Sequence, residues 1–122
     1  MTITSFYPIF CYKDTDAAIK RYEEIGFKVI HKFENEHLKH YVLEVGNDCL
    51  DIMYDGNIPV EDGYFGMRVN VRDFEEGMEY FKKCGYNKVL MEPVSGNNSI
   101  HVGLMNEKGE RILLYYHIRN EG

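Results

Sequence analysis

The 122 residues include no tryptophan, only three prolines and only three cysteines. Cys11, Cys49 and Cys84 form an odd set without CxxC spacing, which excludes a disulfide framework or a thiolate zinc site and leaves reduced thiols as the expectation. Cys84, at the end of an apolar helix side, reads as a small core residue. The longest apolar run, residues 7–12, falls far short of a membrane span, and the first residues lack the basic start of a secretory signal, so a cytoplasmic protein is expected. No cluster of Lys and Arg interleaves with aromatics, and the net charge of −6 opposes binding to nucleic acid or an anionic membrane. HExxH, a Gly-rich phosphate loop and G-x-S-x-G are all absent.

What is present is a doubled unit. DTDAAIKRYEEIGF, residues 14–27, returns as DFEEGMEYFKKCGY, residues 73–86, and one offset of 59 relates Asp14 to Asp73, Ile19 to Met78, Tyr22 to Phe81 and Gly26 to Gly85. Each copy predicts a helix. An Asp accepts from the free N–H groups of the first turn, Ala18, Ile19, Tyr22 and Ile25 fall on one face, and Gly26 can close the helix in the left-handed conformation. In the second copy Asp73 and Glu76 fit a capping box, with Glu75 and Glu76 at the positive end of the dipole and Lys82 and Lys83 at the negative end.

Around the helices the alternation predicts strands. Residues 6–12 form the first, with Tyr7, Ile9 and Cys11 on one face and Pro8 near its start. Residues 27–33, 39–45 and 49–54 follow, joined by turns at 34–37 and 46–48. The second half repeats the pattern with strands over 64–71, 88–92, 100–105 and 111–117 and a turn at 95–98. Residues 55–63 carry two glycines and a proline among acids and read as a linker. Two modules, about 5–54 and 64–117, therefore share one domain over 1–122, since a module of roughly 60 residues buries too little surface to be stable alone.

The two βαβββ modules, RYEEIGF closing the first helix, CLDIMYDG and the final NEKGERILLYY resemble the vicinal oxygen chelate superfamily of glyoxalases, extradiol dioxygenases and bleomycin-resistance proteins, and look most like the bleomycin-resistance branch. The resemblance implies an α+β fold in which the modules form a curled mixed sheet around a cleft, with the helices outside. Metal-dependent members of that superfamily hold their ion on four strands. The matching positions here are Tyr7, Asp51, Gly66 (Met67 if the register slips by one) and Leu113, of which only Asp51 is an ordinary ligand for a hard divalent ion. The expectation is a protein with no metal and no other cofactor. His37 and His40 flank a turn and read as solvated; His31 has no predicted partner; His101 and His117 read as polar residues at a wet rim or as unusual ligands.

Strand alternation assigns the faces. Leu50, Ile52 and Tyr54 back the helices, as do Met67, Val69, Val71, Ile112, Leu114 and Tyr116. Tyr7, Asp51, Met53, Arg68, Asn70, His101, Arg111, Leu113 and Tyr115 face the cleft, an apolar wall with a few polar points that suits a small molecule. The competing reading makes Asp51 with Arg68 or Arg111 a mutually neutralising structural pair. Three functions compete: a metal-free protein binding an aromatic or amphipathic small molecule; a glyoxalase-like metal-dependent isomerase, lyase or dioxygenase; and a structural or regulatory protein with a vestigial cleft. The reading leans away from an enzyme and assigns no catalytic residue. The chain has neither tryptophan nor the Gly-Trp-Gly stretch of the bleomycin-resistance branch, so the ligand is open. A homodimer is expected, because the superfamily it resembles usually pairs.

Overall fold

The computed structural model describes residues 1–56, 61–95 and 99–117, with the side chains of 91–95 and 117 outside the description. Residues 96–98 of the predicted turn and 57–60 of the predicted linker therefore lie outside the described residues. The order is β1 (Ile3–Cys11), α1 (Thr15–Ile25), β2 (Lys28–Glu34), β3 (Leu38–Val45), β4 (Asp48–Asp55), β5 (Gly63–Val71), α2 (Phe74–Lys83), β6 (Lys88–Ser95), β7 (Ser99–Met105) and β8 (Arg111–His117). The fold is α+β with a mixed sheet: β1 with β4 and β5 with β8 are parallel, while β2 with β3, β3 with β4, β6 with β7 and β7 with β8 are antiparallel.

Two compact units divide the chain. The first is Tyr7–Phe65; the second takes Met1–Phe6 and the described residues from Gly66 onward. In the first unit the strands run β2-β3-β4-β1, and α1 packs Ile19 on a core of Tyr41, Leu43, Leu50 and Ile52. In the second they run β5-β8-β7-β6, and Met78 and Phe81 of α2 pack on Val69, Val71, Val102, Leu104, Ile112 and Leu114. Strand β1 belongs to both: Thr2 accepts from Arg72 N–H in the second unit, whereas Ile9, Phe10 and Cys11 pair with Asp51, Ile52 and Met53 in the first. Pro8 sits in mid-strand between these stretches, not at the strand's start, where its missing donor falls at the change of ladder.

The duplication extends to the helix ends. Asp14 accepts from Ala17 N–H, and Asp73 from Glu76 N–H. Phe27 N–H donates to Tyr22 O and Tyr86 N–H to Phe81 O, the Schellman bond that a left-handed Gly26 (φ 123°) and Gly85 (φ 104°) permit. Two expectations from helical spacing fail. Ile25 is 72 % exposed, and Cys84 is exposed as the C-cap of α2 instead of filling the core. Each sits at a helix end, where the chain is leaving the sheet it packed on.

On the helix side of the first unit Tyr12 and Tyr22 share a 2.9 Å hydroxyl–hydroxyl hydrogen bond. Burial first, and this bond second, push the Tyr12 phenol from 10.0 to about 12. The raised value favours the protonated native form, so its contribution to stability is present below pH 10 and lost as pH rises through about 12. A phenolate absorbance titration should place the ionisation of Tyr12 late, near pH 12, and Tyr22→Phe should move that step part of the way back. An unchanged late step in that variant would discount the bond.

Candidate functional site

The helix-free face of the second unit carries a buried polar cluster. Val69 and Val71 turn toward α2, so Arg68 and Asn70 of β5 take the opposite face, as do His101 of β7 and Leu113 and Tyr115 of β8. All five are buried. The register sets Tyr115 beside Asn70 on one flank and His101 on the other. The His101 ring stacks on Tyr115 with centroids 4.7 Å apart and planes 12° from parallel, and the Arg68 guanidinium lies 3.8 Å from the Tyr115 ring centroid. Arg68 Nε donates to Asn70 Oδ1 at 3.3 Å, and Asn70 Nδ2 donates to Ser5 Oγ at 2.8 Å. Thr4 Oγ1 adds a 3.2 Å bond to the Asn70 carbonyl. The contacts run from each side chain to the next, giving a cation-bearing aromatic cluster whose stacking contacts are each worth about 0.5–2 kcal/mol.

The helix-free face of the first unit is built in cross-strand rows. Ile9, Asp51 and Val42 lie side by side, and so do Cys11, Met53 and His40; all six are buried. His40 Nε2 and Asp51 Oδ2 share a 2.7 Å hydrogen bond. This corrects the expectation of a solvated His40: its side chain is 6 % exposed, whereas His37 at the turn is 64 % exposed. Proximity to a turn hides His40 in the sequence, although alternation places it on the same face as Val42. His31 is exposed. Tyr54, expected against the helix, is exposed beyond the reach of the α1 core.

Tyr7 is half-buried, on the face of β1 that carries Ile9 and Cys11. Arg111 is half-buried at the start of β8. The His117 side chain lies outside the described residues.

Two of the four positions matched to metal ligands offer an ion no side-chain donor. Leu113 is a buried hydrocarbon. At Gly66 a Cβ would lie 2.2 Å from the Arg111 carbonyl oxygen and 2.8 Å from its carbon, so the backbone there has no room for any side chain. Met67, the alternative in a slipped register, packs toward α2. Among the described residues no group of three or more His, Cys, Asp and Glu is placed to hold a metal ion, and no helix is long and apolar enough to cross a membrane.

No family model matches the sequence, and no curated protein matches it. Solved structures do. A hypothetical protein from Bacillus halodurans C-125 superposes with a TM-score of 0.72 at 14 % identity, over 98 % of this chain and 99 % of its own. A glyoxalase/bleomycin resistance protein/dioxygenase superfamily member from Vibrio splendidus 12B01 gives 0.64 at 13 %, over 94 % and 99 %. A catechol 2,3-dioxygenase gives 0.59 at 14 %, over 97 % of this chain but 43 % of its own. Identities this low establish the architecture, which is that of the glyoxalase/bleomycin resistance fold.

Proposed function

We propose that this chain, with its glyoxalase/bleomycin resistance fold, is a cytoplasmic small-molecule-binding protein that works without a metal ion or other cofactor and takes an aromatic or amphipathic ligand. The observation that supports the reading is the Arg68–Tyr115–His101 stack with Asn70 and Leu113 beside it. A sheet face that only had to pack would be built at lower cost from hydrocarbon, because each buried guanidinium, amide or imidazole loses hydration that its bonds only partly restore. Planar aromatic faces with a few fixed donors are instead the make-up of a small-molecule site. Asp51 and Met53, with Tyr7 and Arg111, belong to the same reading as ligand-facing positions. The misfit at Gly66 and Leu113 supports the metal-free part. The protein acts as a homodimer, and nucleic acid and membrane are not its partners.

Thermal melts against a panel of phenols, aromatic acids and amphipathic amines test this. A ligand at a hundred times its dissociation constant adds about 2.7 kcal/mol, a rise of roughly 10 °C for a domain of this size. The shift should persist in chelator and disappear in Tyr115→Leu. No shift from any class would sink the binding reading. One equivalent of a transition metal in the purified protein, with stability lost to chelator, would replace it with the metal-dependent enzyme.

A further inference from the structure

Strand β2 ends the hydrogen-bonded order of the first unit, and among the described residues its ladder is made to β3 alone. A bulge between Val29 and His31 breaks that ladder, leaving His31, Lys32, Phe33 and Glu34 as a regular stretch opposite Val42, Tyr41, His40 and Lys39. Phe33 is 47 % exposed and Ile30, in the bulge, 48 %. An exposed edge bearing apolar side chains is a template for another strand, and proteins commonly guard such edges with lysine, since a second copy would bring like charge against like. Here the charges do the reverse. Lys32 and Glu34 flank Phe33 on the same side of the sheet, 3.6 Å apart at Nζ and Oε1, and Glu34 also accepts from the Tyr41 hydroxyl. If two β2 strands meet antiparallel about a two-fold axis at Phe33, each Lys32 faces Glu34 of the other copy and the two Phe33 rings meet. Opposite charges and paired aromatics directly across an antiparallel ladder are the favourable cross-strand combinations.

We propose that the end of β2, from His31 through Glu34 and on to Asn35, forms the homodimer interface, joining a second copy of this chain edge to edge through a two-fold pairing centred on Phe33. It rests on the homodimer reading above and supplies the surface for it. An isologous contact closes on itself, so it gives dimers and not fibres. The short paired stretch makes the dimer concentration-dependent.

Sedimentation of Lys32→Glu and Glu34→Lys tests this, with circular dichroism melts to confirm that these surface changes leave folding intact. The wild type should be a dimer at micromolar concentration. Each variant sets like charge against like at both ends of the contact and should weaken the dimer at least about tenfold. The two variants mixed in equal amounts should recover the pairing, because the paired carboxylates on the edge of the Lys32→Glu copy then face the paired ammonium groups on the edge of the Glu34→Lys copy. Phe33→Ser should weaken the dimer and not be rescued by mixing. Dimers unchanged in all three variants would overturn this interface while leaving the homodimer reading intact. A monomeric wild type would overturn both, and failure of the mixture to pair would overturn the alignment about Phe33.

Discussion

Alanine at Asp51 is expected to destabilise the protein by about 3–5 kcal/mol, the range for breaking a buried polar pair from one side. The Asp51 side chain is 1 % exposed and that of His40 6 %, and their hydrogen bond is 2.7 Å long. Removing the carboxylate leaves an imidazole nitrogen buried without that acceptor and a void next to Ile9 and Val42, its cross-strand neighbours. Asp51→Asn should cost less, because the amide oxygen can still accept from the imidazole N–H at nearly the same place. Urea melts of Asp51→Ala, His40→Ala and the double variant give the coupling directly. A coupling of about 1–3 kcal/mol is expected for a contact of this kind; strict additivity would show that the pair is geometry without energetic consequence. The same Asp51→Asn protein separates structure from binding, since a lost thermal response to ligand with little lost stability would make the carboxylate a ligand contact first.

Gly66→Ala should be strongly damaging for the addition of a single methyl group, at about 3 kcal/mol or more. The atoms that its Cβ would meet at 2.2 and 2.8 Å are the carbonyl oxygen and carbon of Arg111, and neither can rotate aside as a side chain would. Relief requires β5 and β8 to part, which strains the ladder that sets Met67 against Ile112 and Asn70 against Tyr115. Gly77→Ala is the control. Its Cβ would lie 3.1 Å from Val71 Cγ2 and 3.4 Å from the Leu114 methyls, all side-chain atoms, and the gain in helix propensity of about 1 kcal/mol offsets the crowding. Denaturant melts should therefore separate the two glycines by at least about 2 kcal/mol. Equal stabilities would mean that the β5–β8 approach is loose. The prediction also bears on the metal question, because histidine at Gly66 would meet the same obstacle before any ion arrived.

Much of this architecture was legible because it is local. The Asp caps and the closing glycines act on neighbours within five positions, and the 59-residue offset repeats that local pattern in the second half, which predicts the two helices and their terminal hydrogen bonds. Alternation is equally local, and it sorted Leu50 and Ile52 from Asp51 and Met53, and Val69 and Val71 from Arg68 and Asn70, onto opposite sheet faces. The β3–β4 register could have been drawn from the turn after Val45, which brings His40 opposite Met53 and one step from Asp51. Histidines beside turns are usually wet, and this general tendency masks the pairing in the sequence.

Periodicity states which way a side chain points but not what waits for it. Ile25 and Cys84 have the spacing of core residues and are exposed, because burial also needs a sheet opposite, and each helix end has run past its own. Gly66 occupies a position where a ligand was sought, and the sequence could offer only the absence of a donor; the 2.2 Å approach to Arg111, 45 residues away, belongs to the pairing of two distant strands. The same holds for the stack of Arg68, Tyr115 and His101. Composition and alternation put these three residues on one face, while the rings and the guanidinium came into contact only when the parallel β5–β8 and antiparallel β7–β8 ladders fixed which residue lies beside which. The sequence by itself determined the doubled βαβββ plan and the two-sidedness of its strands, since both follow from interactions within a few residues. Tertiary structure alone decided the contacts that give those faces their chemistry, because cross-strand register is a property of pairs of strands and not of either strand.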